Sequence, residues 1–149
     1  MINWFPQQQR ATCVAACVRM VLTGFGQTLT EQQVCQMLRL SPAGTTLPKA
    51  YWQLRRRNVV VGLHEDWNLI DLRDCLRAGW YPIVGIERRL LGHPDASHAI
   101  VLVKVSSQMV KAFDPLGTVQ AETIGIETFE QAWQSAGHQS LVIQSPLPL

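Results

Sequence analysis

Residues 98–114 read HAIVLVKVSSQMVKAFD, and the reading of this stretch sets the class of the fold. Apolar and β-branched residues fill both ends, and the polar Ser106-Ser107-Gln108 between them forms a short turn. A strand, a short turn and an antiparallel return strand bring the start of the first beside the end of the second. His98 and Asp114 therefore become neighbours, although they lie 16 residues apart in the chain.

Similar strand signals lie at YPIVGIE (81–87), SLVIQS (140–145) and, earlier, VVVGL (59–63). The N-terminal half is instead helical. Val14, Ala15, Cys17, Val18, Val21 and Leu22 recur at helical spacing from Thr12 to about Thr23, where Gly24 and Gly26 stop the helix. Thr30 is placed as the N-cap of a second helix with Val34, Met37 and Leu38 as its apolar stripe. Pro48 suits the first turn of a third helix ending near Arg57, and a fourth runs from Asn68 to Ala78. One more helix is expected around Glu127 to Ser135. Helices first and sheet second predict an α+β fold, with N-terminal helices packed on a largely antiparallel sheet. With no internal repeat, low-complexity tract or linker, residues 1–149 are expected to form one domain.

Composition narrows the function classes. Hydrophobic residues make up 47% and charged residues 16% of the chain, an ordinary globular balance. A net charge of +2 gives no reason to expect nucleic acid as a partner, and Arg55-Arg56-Arg57 reads as a solvated helix end. No apolar run approaches the roughly 20 residues that span a bilayer. The N-terminus has neither a basic n-region nor an apolar h-region, so membrane insertion and secretion are not expected and the cytoplasm is. Cys13 and Cys17, four apart on one helix, suit neither a relaxed disulfide nor a zinc knuckle. His64 with Glu65 and Asp66 is not expected to bind metal, because consecutive residues point to different sides of a strand or turn. No cofactor is expected.

The lead-in QQQRAT before Cys13 is not what a core helix needs. A cysteine in the first helical turn meets the positive end of the helix dipole, which favours thiolate. A nucleophilic thiolate needs a base and a group to orient that base. Of the four histidines His64, His93, His98 and His138, only His98 is placed by the hairpin beside a carboxylate, Asp114. A side-chain amide just before the nucleophile can donate to an oxyanion, and Gln7, Gln8 and Gln9 are all placed to do so. Cys17 lies one turn deeper and reads as core, as do Cys35 and Cys75 in the stripes of other helices. His93 reads as a loop histidine.

Gln7 followed six residues later by Cys13 in TCVAACVRMVL, then SHAIVLV, then FDP, resembles the peptidase C39 group. These papain-like cysteine peptidase domains remove double-glycine leaders at the front of bacteriocin-exporting ABC transporters. The likeness runs from about Gln7 to Pro115 and includes GTTLPKAYWQLRRRNV. It implies a papain-like fold with Cys13 as nucleophile, His98 as general base and acid, Asp114 as its orienter and Gln7 as oxyanion donor. It further implies a peptide or protein substrate and a separate exporter, since neither a membrane domain nor an ATPase follows and a free-standing member is expected. Val14 stands where the family usually has glycine. Two alternatives remain open on the same residues: a silent peptide-binding module, and an acyltransferase or toxin using the same triad.

Overall fold

The computed structural model describes residues 1–94 and 97–148. Five α-helices and six strands follow in the order α1 (Cys13–Thr23), α2 (Glu31–Leu38), α3 (Leu47–Arg56), β1 (Val61–His64), α4 (Leu69–Arg77), β2 (Ile83–Glu87), β3 (Ser97–Val105), β4 (Met109–Phe113), β5 (Glu122–Gly125), α5 (Ile126–Ser135) and β6 (Ser140–Ile143). A 3₁₀ turn at Arg88–Leu91 begins the loop between β2 and β3, in which Asp95 and Ala96 lie outside the described residues.

The strands form one sheet in the order β1-β6-β2-β3-β4-β5, and every neighbouring pair is antiparallel. The sequence legibly marks its centre. β3 reads as a nearly continuous buried run because helices cover both faces, so no polar alternation is needed. Ala99 and Val101 of β3 join Ile83, Leu141 and Ile143 in a core with α1, α2 and α3. The alternate residues Ile100 and Leu102 join Val84 and Ile86 in a second core with Leu72 of α4 and Phe129 and Trp133 of α5. Period-two alternation thus sorts each strand's side chains between two helical layers.

Helix starts follow the capping residues. Thr30, Thr46 and Asn68 accept from the backbone N–H of Gln33, Lys49 and Asp71, and Pro48 sits in the first turn of α3. Strand β1 begins at Val61, two residues later than the VVVGL run predicts. Asn58 takes a left-handed conformation, and the Val59 N–H closes α3 by donating to the Leu54 carbonyl at 3.2 Å. The first valine of that run therefore serves the helix end. β5 carries no comparable signal, since only Ile124 of ETIG is buried.

Residues 1–12 form a strap across the end of the sheet. Trp4 Nε1 donates to the Asp114 carbonyl at 2.8 Å, and the Gln7 N–H to the Pro115 carbonyl at 3.1 Å. The Gln8 N–H meets both oxygens of the buried Glu31 carboxylate at 3.0 and 3.1 Å. The start of α1 is thereby tied both to α2 and to the turn after β4.

Candidate active site

Helix α1 differs from α2, α3 and α4 at its first turn: Thr12 makes no side-chain cap. Its hydroxyl is engaged with Gln9, donating to the carbonyl at 2.9 Å and accepting from the N–H at 3.1 Å. The first N–H groups of α1 therefore remain available to an anion, where the helix dipole also favours one. Cys13, half-buried, is the first residue of this helix.

His98 comes to it from β3, paired opposite Ile86 in the sheet. Its Nε2 lies 2.6 Å from Asp114 Oδ1, with both side chains buried. The other ring nitrogen, Nδ1, is left to the side-chain hydrogen bond with Cys13. Asp114 is held in turn: Oδ1 accepts from the Leu116 N–H at 2.8 Å, and Oδ2 faces Arg88 Nε at 3.4 Å. The turn that delivers these contacts is close-packed at Gly117. A Cβ there would come within 3.2 Å of the Asp114 carbonyl oxygen and 2.7 Å of Glu122 Oε1.

The electrostatics favour an ion pair. Burial pushes the Cys13 thiol up. The hydrogen bond and charge of His98, with the N–H groups of Ala99 and Val14, outweigh that and bring its pKa below the usual value. Burial would lower His98, but its hydrogen bonds to Asp114 and Cys13 and their charges raise it to about 9. Burial likewise works against the Asp114 carboxylate. The His98 hydrogen bond and charge, the Leu116 N–H and Arg88 hold its pKa below the ordinary range. A thiolate facing an imidazolium is the favoured state of such a set.

Of the residues expected to act together, Cys13, His98 and Asp114 converge. Gln7 lies near them by its backbone, but its side-chain amide is turned to its own loop. Nε2 donates to the carbonyls of Gln9 at 2.9 Å and Arg10 at 3.1 Å, while Oε1 is buried without a hydrogen-bond partner. The side chains of Gln8 and Gln9 are exposed. Cys17 is fully buried, and burial, then the charges of Cys13 and Asp114, push its pKa far up. The remaining histidines have other surroundings. His64 stacks on Trp67 at 3.9 Å, His138 packs on Trp133 at 3.7 Å, and His93 borders a groove beside β5. Among the described residues no group of three His, Cys, Asp or Glu could hold a metal ion.

A cleft of about 560 Å³ opens over Cys13 and His98. One wall is Thr45, Thr46 and Leu47 before and at the start of α3; the other is Gly85, Ile86, Ala136 and Gln139. Gly44 lets the first wall approach, having φ +95° and a position where a Cβ would lie 2.7 Å from the Ala11 carbonyl oxygen. At Gly85 an added Cβ would make ordinary van der Waals contacts, with Leu47 Cδ1 at 3.8 Å and Ala136 Cβ at 3.9 Å.

The sequence reading missed Arg88 and Glu31 as supports and the whole cleft lining. Arg88 belongs to an RRLL run that looks solvent-exposed, and no local pattern marks its burial. Glu31 reads only as an acidic residue in a helical first turn.

A model described as the Peptidase_C39 like family matches residues 1–141. The chain belongs to this family. Solved structures agree on the fold. One, described as a C39-like peptidase from Bacillus anthracis, is 14% identical with a TM-score of 0.77, covering 99% of this chain and 98% of that one. The peptidase domain of Streptococcus ComA, a bifunctional ABC transporter of a quorum-sensing pathway, is 15% identical with a TM-score of 0.78, covering 97% and 99%. A double glycine motif protease from an AMS/PCAT transporter, in complex with the leader peptide, is 16% identical with a TM-score of 0.72, covering 97% and 93%. At such identities the likeness establishes a papain-like α+β fold. Among curated proteins none matches by sequence. Among the described residues no helix of this C39-family chain is long and apolar enough to cross a membrane.

Proposed function

We propose that the chain is a cysteine peptidase that cleaves a peptide after small residues through a thioester on Cys13. The observation that carries this reading is the contact of a half-buried thiol, at the uncapped start of α1, with a histidine locked to a buried carboxylate. Cys13 Sγ attacks the scissile carbonyl carbon, forming the C–S bond and moving the carbonyl electron pair onto oxygen. The Cys13 N–H, at a helix start without an intrahelical partner, is one donor to that oxyanion. Gln7 supplies the second when its amide releases a loop carbonyl and turns to the cleft. The His98 imidazolium passes its Nδ1 proton to the departing amine as the C–N bond breaks, leaving the thioester. His98 then takes a proton from water, hydroxide adds to the thioester, and the acid product departs from the regenerated thiolate.

Small residues before the cut are favoured by a cleft whose lining brings Leu47 and Ala136 within van der Waals reach of the Gly85 position. The double glycine motif of one structural neighbour points the same way, as does its leader peptide. A leader-bearing peptide is therefore the proposed substrate, with a peptide exporter as the next partner. The four cysteines are free thiols, which suits a cytoplasmic setting.

The test is a fluorogenic Gly-Gly-coumarin amide with a Leu-Leu counterpart, followed by mass spectrometry of the quenched protein. Cleavage of the Gly-Gly probe, with an acyl adduct on the peptide bearing Cys13, is expected. Undiminished cleavage by Cys13→Ala would sink the reading.

A further inference from the structure

The segment from Gln32 to His64 carries five cations, Arg39, Lys49, Arg55, Arg56 and Arg57, and no acidic residue. The fold gathers three of them. Lys49, Trp52, Gln53 and Arg56 recur at helical spacing on the solvent face of α3, opposite the buried Ala50 and Leu54. Arg39, at the end of α2, faces them across a groove of about 650 Å³ with no carboxylate in its lining. Among the described residues none of these three cations takes part in an ion pair. Trp52 is 56% exposed, with the Arg55 guanidinium 5.7 Å above its ring. Thr45 lines both this groove and the cleft over Cys13, so the two adjoin at that residue.

From that adjacency and charge we infer that the groove binds an acidic segment of the same peptide that enters the cleft. The inference rests on the reading that a peptide lies at Cys13. A chain leaving the cleft past Thr45 meets three unpaired cations and an exposed indole. Carboxylates on that flank complement the cations, and the chain's apolar atoms can cover Trp52. Nucleic acid or an anionic membrane would also meet positive charge here, but neither offers a scissile amide to the adjoining cleft over Cys13 and His98.

The experiment uses quenched fluorescent peptides with a central Gly-Gly, carrying three Glu on the N-terminal flank, three Glu on the C-terminal flank, or Gln at the same positions. One Glu flank should lower KM about tenfold relative to Gln at low salt with kcat unchanged, and the advantage should vanish near ~0.5 M salt. The double variant Lys49→Glu/Arg56→Glu should erase the preference yet turn over the uncharged Gly-Gly-coumarin amide at the wild-type rate. Equal KM for all three peptides overturns the groove assignment and leaves the peptidase reading standing. If no peptide is cleaved, the peptidase reading fails, and anisotropy of labelled Glu and Gln peptides on Cys13→Ala decides the groove by itself. Tighter binding of the Glu peptide, lost in the double charge reversal, upholds it. Equal binding overturns it, as does tighter binding of oligo(dT) or phosphatidylglycerol vesicles.

Discussion

Cys13 and Cys17 occupy one face of one helix, a single turn apart, and their environments are opposite. Cys13 stands at the uncapped first turn, half-buried, with His98, the Ala99 N–H and the Val14 N–H around its sulfur. Cys17 is fully buried in the core of α1, α2 and α3, and its pKa is driven up by burial and by the Cys13 and Asp114 charges. One turn of helix therefore separates a thiol whose surroundings favour ionisation from a packing residue. The residue type is the same; depth and partners differ. Burial alone would raise both thiols, and only Cys13 has hydrogen bonds and an opposite charge to reverse that.

The largest effect should come from removing the group that makes this difference. His98→Ala should lower turnover by roughly 10⁴-fold, as loss of a triad member does. It should also slow iodoacetamide labelling of Cys13 near pH 6 toward the rate of an ordinary thiol. In the wild type, peptide mapping should find Cys13 labelled well before Cys17. Preferential labelling of Cys17 would break the comparison outright.

Asp114→Asn keeps the shape of the His98 contact and removes its charge. Turnover should fall by roughly 10²–10⁴-fold, with the fold intact by circular dichroism. The Cys13 labelling profile should move to higher pH, since His98 loses the carboxylate that favours its charged form. Full activity in this variant would mean that the 2.6 Å contact is structural only.

Gln7→Ala bears on the oxyanion and not on the thiolate. A drop on the order of a hundredfold in kcat and in kcat/KM together is expected, with KM nearly constant and Cys13 still readily alkylated. A raised KM at constant kcat would assign the lead-in to substrate binding. An unchanged Gln7→Ala beside a crippled Gln8→Ala would move the role one residue along.

The smallest effect concerns the limits of the ion pair. His98 has its pKa raised to about 9, so it is protonated below that pH and loses its proton as pH rises through it. Cys13, lowered, is thiolate above its own pKa. Activity should therefore rise on an acid limb set by Cys13 and fall near pH 9. Arg88 shares the Asp114 carboxylate with His98, so Arg88→Gln should strengthen Asp114's hold on the imidazolium and shift the alkaline limb to higher pH by up to about one unit. Arg88→Lys should restore the wild-type limbs. A loss of rate with unmoved limbs in Arg88→Gln would mark Arg88 as packing.

The sequence itself determined the elements whose signals are local. The apolar run of β3, the short turn at Ser106 and the return strand required an antiparallel hairpin. That hairpin placed Asp114 beside His98, and the structure has them there. The spacing from Val14 to Leu22 placed Cys13 at a helix start, where the dipole acts on the first turn only. Tertiary structure decided what depends on residues far apart in sequence. The docking of α1 on β3 brought the thiol to the imidazole. The fold also buried Arg88 against Asp114, set Glu31 under the Gln8 N–H, and joined Thr45 to Gly85 and Ala136 across a cleft. It turned the Gln7 amide onto the carbonyls of its own loop, which no count of residues between Gln7 and Cys13 could reveal. Local patterns fix periodicity and turns, because those depend on neighbouring dihedrals; depth, charge pairing and cleft width depend on which surfaces meet.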